Sequence, residues 1–297
     1  MPTVVQSFDN SSLGPGIHAP LASTEAEQEV YLKSSLFNGL FLFLLAYVLV
    51  YLPGQLSSVI LASVVDKGPV LFHNKLLYMD VVGWDRFDAV SIYTSALFTN
   101  FLQFGIYLAL YNRQKKDAIG FGKSLIFWLL MHSAVRSFGC VIPAVASDEG
   151  FKYIADWMYW GPYTLFLLSL LSITIMLILS GYLTRFALQS SASKNLIRAS
   201  RRKRFISSAV LLPWIYGSLI ITTSQWPDWR ESYHEISLLW SMGILILPMF
   251  FYLKFLNKKP VASVRNQYAL NRNYASAGIA TVLFLLFRLL LGNGVYF

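Results

Sequence analysis

His132, Arg136 and Cys140 follow one another at four-residue intervals inside one apolar stretch, residues 120–143. On a helix turning 100° per residue these three, with Ser133 and Ser137, fall within an arc of about 140°, facing away from Phe138 and Val141. The types suit covalent chemistry. A cysteine thiolate is a nucleophile, an imidazole can generate it, and a guanidinium holds an anionic group. In that reading Cys140 is the nucleophile, Arg136 the anion clamp and His132 the base, acting on a lipid or lipid-linked substrate. The simpler reading needs no chemistry. Arg136 lies about 10 Å from the outer end of its helix and snorkels toward it, His132 bonds a neighbouring serine or carbonyl, and Cys140 fills space. The simpler reading is preferred here.

The stretch that carries these residues is long enough to cross a bilayer, and it is not alone. Of 297 residues 56% are hydrophobic and only 13% charged, against roughly 25% charged in soluble domains. Several runs approach the ~20 apolar residues that a span requires. A polar stripe on such a helix must face other helices or water, which places residues 120–143 inside a bundle. The net charge of +9 sits in the loops between apolar runs, so it points to headgroups and topology and not to nucleic acid. A single cysteine excludes an intramolecular disulfide or a cysteine-based zinc site. The histidines, His18, His73, His132 and His234, are scattered without metal-ligand spacing, so neither a metal nor a cofactor is expected.

The fold class expected is an all-α polytopic bundle with about seven spans. Residues 1–33 read as a disordered polar tail and 34–297 as the membrane domain. Thr24 and Glu27 are placed to cap a short helix, and no signal peptide is expected at the start. Asn10-Ser11-Ser12 has the glycosylation pattern. Span one covers residues 36–52, and after Pro53-Gly54-Gln55 the apolar run resumes to Val65, as either a kinked helix or a span plus a half-buried segment. Residues 66–88, with His73-Asn74-Lys75 between two apolar runs, suggest a β-hairpin or amphipathic segment. Spans two to seven follow at 89–111, 120–143, 163–183, 205–223, 236–255 and 275–291. Pro213 and Pro248 interrupt spans five and six. The loop 226–235 is acidic and aromatic, and all fifteen acids lie outside the apolar cores on this division.

Loop charge sets the orientation. Lys33, Arg113, Lys115, Lys116, Lys123, Arg185, Lys194, Arg198, Arg201, Arg202, Lys203, Arg204, Lys254, Lys258, Lys259, Arg265 and Arg272 make 17 bases on one side, against five on the other, Lys67, Lys75, Arg86, Lys152 and Arg230. The positive-inside rule then gives an inside N-terminus and an outside C-terminus. Arg201, Arg202, Lys203 and Arg204 form a headgroup-contacting run, and Arg288 is a snorkelling anchor. A bacterial inner membrane is the expected location, with the bilayer and other membrane proteins as partners.

Two family resemblances attach to these residues. The Cys, Arg and His of span three are similar in type to those used by exosortase-like membrane transpeptidases, though that family spreads them over several helices and this chain holds them on one. A long first span with a polar break, the extended segment GPVLFHNKLLYMDV and a Ser/Thr/Asn-rich second span resemble site-2-protease-type membrane proteins over residues 36–160. Active members carry HExxH in the first helix. Here Gln55-Leu56-Ser57-Ser58-Val59 stands in that place, and Asp148 is the counterpart of the second-site aspartate. The resemblance therefore implies a member that binds no zinc. The function expected is a non-catalytic membrane component for assembly, partner binding or small-molecule handling. The intramembrane enzyme using Cys140, Arg136 and His132 is the first alternative and a transporter the second.

Overall fold

An apolar run in a bundle satisfies its backbone most simply as a helix, and these runs do so. The structure is a computed structural model describing residues 25–80, 82–114, 121–147, 149–191, 200–227, 232–256 and 272–297. The glycosylation pattern at Asn10, Thr24 of the expected cap, Asp148 and most of the basic run before Arg201 lie outside the described residues. Helix α1 spans Glu25–Val64 and continues unbroken through Pro53. The apolar run is thus one long helix, since burial on both sides of the proline outweighs the lost backbone bond. Then come α2 (Arg86–Arg113), α3 (Phe121–Phe138, extended by 3-10 turns through Val145), the short α4 (Phe151–Trp157) and α5 (Pro162–Gln189). The last three are α6 (Arg202–Ser224), α7 (Tyr233–Leu256) and α8 (Tyr274–Gly292). Six of these helices, all but α2 and α4, are long and apolar enough to cross a membrane. The expected second span, α2, has 28 residues, but its serines, threonines and amides keep it below that threshold.

Both interrupting prolines leave a mark. In α6 a wide π turn, Ser207–Leu211, precedes Pro213, the kind of local widening that absorbs a missing N–H. In α7 the helix is interrupted around Met242 and again at Leu247-Pro248, and Ser180 of α5 donates to the Leu245 carbonyl at 2.6 Å beside that break.

The expected hairpin is present: β1 (Pro69–Leu71) pairs antiparallel with β2 (Leu76–Tyr78), Val70 opposite Leu77. The sequence did not signal a third strand. β3 (Val295–Tyr296) joins the other edge of β1, giving the order β2-β1-β3. The small sheet closes one end of the helical bundle, and the His73 N–H donates to the Leu291 carbonyl at the end of α8.

Helix α1 is the axis, packing against α2, α3, α6 and α8. Its buried face, Phe43, Ala46, Tyr47, Val50 and Tyr51, meets Trp128, Met131 and Val135 of α3 in one continuous core. As expected, α3 lies inside: every residue from Phe127 to Ser137 is buried. By contrast, α5 presents exposed Phe166, Leu167, Leu170 and Leu171, as a helix facing lipid does.

The approach of α6 to α1 depends on Gly217, because a Cβ there would come within 2.2 Å of the Phe43 ring. Gly217→Ala should therefore destabilise the protein by about 1–3 kcal/mol, read as a lower melting temperature in detergent. Gly278→Ala, on an exposed face of α8 with nothing near, should be neutral or stabilising by up to ~1 kcal/mol. Equal effects at both sites would contradict the close α1–α6 contact.

Candidate functional site

A guanidinium in an apolar bundle demands a partner, since an isolated buried charge is far too costly to keep. Arg136 has one. Its Nη2 lies 2.6 Å from Glu235 Oε2 and its Nη1 3.2 Å from Oε1, a two-point bridge between α3 and the first turn of α7. Arg136 is 7% exposed and Glu235 4%. The guanidinium also lies 4.8 Å from the ring centre of Tyr51 and 5.7 Å from that of Tyr47, so the cation is held by two aromatic faces as well. Two expectations are corrected. Arg136 does not snorkel, because its partner is inside the bundle, and Glu235 is not in a loop, because α7 begins at Tyr233 and carries it inward.

The surroundings fix this pair. Tyr51 donates its hydroxyl to the Phe72 carbonyl at 3.2 Å, tying α1 to the hairpin. Asn74 Nδ2 donates to Ser232 Oγ at 2.6 Å, tying the hairpin tip to the start of α7. At the base of the hairpin, Lys67 bridges to Asp88 at 3.4 Å and donates to the Gly83 carbonyl. An aromatic wall forms beside it, with Tyr78 against Trp84 and Tyr93 stacked on Tyr153 at 4.8 Å. Burial, with Tyr93 and Tyr153 nearby, pushes the Tyr78 phenol well above its ordinary value. Its ring packs edge-on against both Trp84 and Tyr93.

Together these elements enclose a half-open cavity of about 280 Å³, near the lower end of the range for small-molecule sites (about 300–1,000 Å³). Arg136, Cys140, His234 and Glu235 line it, with Gln55 and Ser58 of α1, Asn100 of α2, and the hairpin residues from Asn74 to Tyr78. Asn100 is 5% exposed and its Oδ1 has no hydrogen-bond partner among the described residues. Gly54 stands against it, where a Cβ would come within 3.2 Å of that oxygen. His234 Nδ1 is likewise buried without a partner. Gly150, at φ +64°, packs on the His234 imidazole where any side chain would collide.

Comparison with family models, curated proteins and solved structures finds no match to this chain. The site is therefore read from its own geometry.

That geometry divides the trio expected from the sequence. Arg136 and Cys140 line the cavity. His132 does not: one turn deeper and 2% exposed, it is sandwiched by Phe43 (4.5 Å) and Tyr47 (5.9 Å), and it bonds the Phe43 backbone while its Nε2 has no partner among the described residues. The histidine that shares the cavity with Cys140 is His234. Cys140 Sγ is turned toward the Ser137 carbonyl of its own helix at 3.6 Å. Among the described residues no group of three His, Cys, Asp or Glu side chains is placed to hold a metal ion. Arg202 of the basic run is also not free for headgroups. It is buried and donates to the Leu256 carbonyl at the end of α7 at 2.8 Å.

Sequence reasoning missed Glu235 and His234 because the loop was drawn three residues too far. A lone arginine in a span was itself a signal: it required an acid near the edge of a neighbouring span. Removing one partner of the pair, Glu235→Gln or Arg136→Met, should cost about 3–5 kcal/mol, while the double variant Arg136→Met/Glu235→Met should be markedly milder. Denaturation midpoints of the three variants, compared as a cycle, check this. An additive double variant would mean the two groups do not interact.

Proposed function

We propose that this chain is a non-catalytic, multi-pass membrane protein that handles a small polar ligand in the cavity beside Arg136 and Glu235. The observation that carries this reading is Asn100: a buried amide oxygen without a partner among the described residues, lining a cavity with room for a ligand. An unsatisfied buried acceptor costs about 1–3 kcal/mol, a cost that a ligand N–H or O–H removes. The paired charges make the cavity polar without a net charge, and the tyrosines around it supply flat apolar surface. We further propose seven spans with the N-terminus inside, α2 being the second, and a C-terminus outside. Arg201, Lys203 and Arg204 contact anionic headgroups, and the membrane is a bacterial inner membrane where other membrane proteins are partners. Loop charge supports this placement.

A second reading, an intramembrane enzyme, is favoured by one observation: Cys140 and Arg136 of α3 share the cavity with His234 of α7. In it Cys140 is the nucleophile, Arg136 the anion clamp and His234 the base in place of His132.

Labelling of the single native thiol with small methanethiosulfonate reagents separates the two. In the ligand-binding reading Cys140 reacts slowly, Asn100→Trp slows it by about tenfold or more by filling the cavity, and His234→Gln leaves the rate nearly unchanged. Fast labelling well below the ordinary thiol value of about 8.5, lost in His234→Gln, would put the enzyme first. Insensitivity to Asn100→Trp would remove the cavity from both readings.

A further inference from the structure

We infer that the cavity takes the headgroup of a zwitterionic phospholipid whose acyl chain lies in a groove on the outer face of α1 and α2. This rests on the ligand-binding reading and adds the identity of the ligand. The groove, about 760 Å³ and open along its length, borders the cavity: Leu97 lines both. Ser57 of the groove and Ser58 of the cavity are consecutive on α1, and Ser58 of the cavity meets Ser95 of the groove in a hydroxyl contact of 2.9 Å.

The groove is less polar than its sequence. Ser57, Thr94 and Ser95 turn their hydroxyls back onto carbonyls of their own helices, Gly54, Val90 and Ile92, at 2.6, 2.6 and 2.7 Å. Ser91 and Thr99 also line the groove, but most of the surface left to an occupant is apolar, from Ile60, Leu61, Leu97, Phe98 and Phe101, with Ile60 62% and Phe98 64% exposed. A hydrocarbon chain suits such a surface, and a peptide or a sugar, with backbone or hydroxyl groups to satisfy, does not.

The headgroup class follows from the charge in the cavity. Arg136 and Glu235 cancel, and the other two charged residues lining the cavity, Lys75 and Glu149, are again of opposite sign. A headgroup with net charge would bring an unmatched charge out of water, which is costly. A headgroup carrying one phosphate and one ammonium is neutral overall and meets both signs. The guanidinium has donors beyond the two engaged with Glu235, and the phosphate takes these. The ammonium finds Asn100 Oδ1, the Glu235 carboxylate and the tyrosine faces.

The test uses the full chain, delipidated in detergent, titrated with short-chain phosphatidylethanolamine, short-chain phosphatidylglycerol or soluble phosphoethanolamine. Protection of Cys140 from labelling is one readout, and lipid retained in native mass spectrometry is a second that does not depend on the thiol. Phosphatidylethanolamine should bind at least about tenfold more tightly than phosphatidylglycerol. Leu97→Trp, which fills the place where cavity and groove meet, should weaken the lipid by about tenfold. Phe98→Asn, on the exposed groove face and outside the cavity, should also weaken the lipid while leaving phosphoethanolamine within about twofold, the latter showing that the variant is folded. Equal binding of the two lipids, or lipid binding unchanged in both variants, overturns the inference. Phosphoethanolamine binding without lipid binding overturns it while the ligand-binding reading stands, and no binding of any of the three overturns both.

Discussion

The two-point bridge between Arg136 and Glu235 constrains everything near it. Two buried charges are tolerated only when their geometry is good and their remaining bonding capacity is met. That requires α3 and the first turn of α7 to hold a fixed distance, and no element in the region is free of this requirement. Tyr47 and Tyr51 bring α1 to the guanidinium. The hairpin is then fixed twice, by Tyr51 to Phe72 and by Asn74 to Ser232. Specificity of arrangement is what the pair contributes, more than net stability.

The same constraint accounts for the cavity. Helices bridged by long polar side chains cannot close to the distance that Gly217 permits between α1 and α6. Where α1, α2, α3, α7 and the hairpin meet, the core is therefore polar and incompletely filled, while deeper, around Phe43, Met131 and Val135, it is apolar and buried. One helix, α3, belongs to both regions. This explains how His132 and Cys140, two turns apart on one stripe, stand in unlike surroundings.

The helical elements were legible because apolar run length is a strong signal that needs no knowledge of partners. The hairpin was legible from Asn74-Lys75 between apolar runs. What escaped depended on contacts distant in sequence. Glu235 read as a loop acid, since nothing local distinguishes an acid just before a span from one just within its first turn. The stripe of α3 correctly named a polar face but could not reveal that α1 covers its lower half with Phe43 and Tyr47, which removes His132 from the cavity. Strand β3 has two residues and exists only because β1 offers an edge. Among the hydroxyl residues of α2, Ser95 contacts Ser58 of α1 while Thr94 turns back onto its own backbone, beside a groove whose lining is mostly apolar; neither contact is visible in local sequence.

The bridged residues are 99 positions apart in the chain. During synthesis at ~5–20 residues per second, the Arg136 helix emerges roughly 5–20 s before its carboxylate. For that interval the guanidinium has no permanent counter-ion, and the helix that carries it is less readily partitioned into lipid than its other residues would make it. The order of synthesis thus separates the two halves of the bridge in time, and α3 gains its counter-charge only when the first turn of α7 arrives.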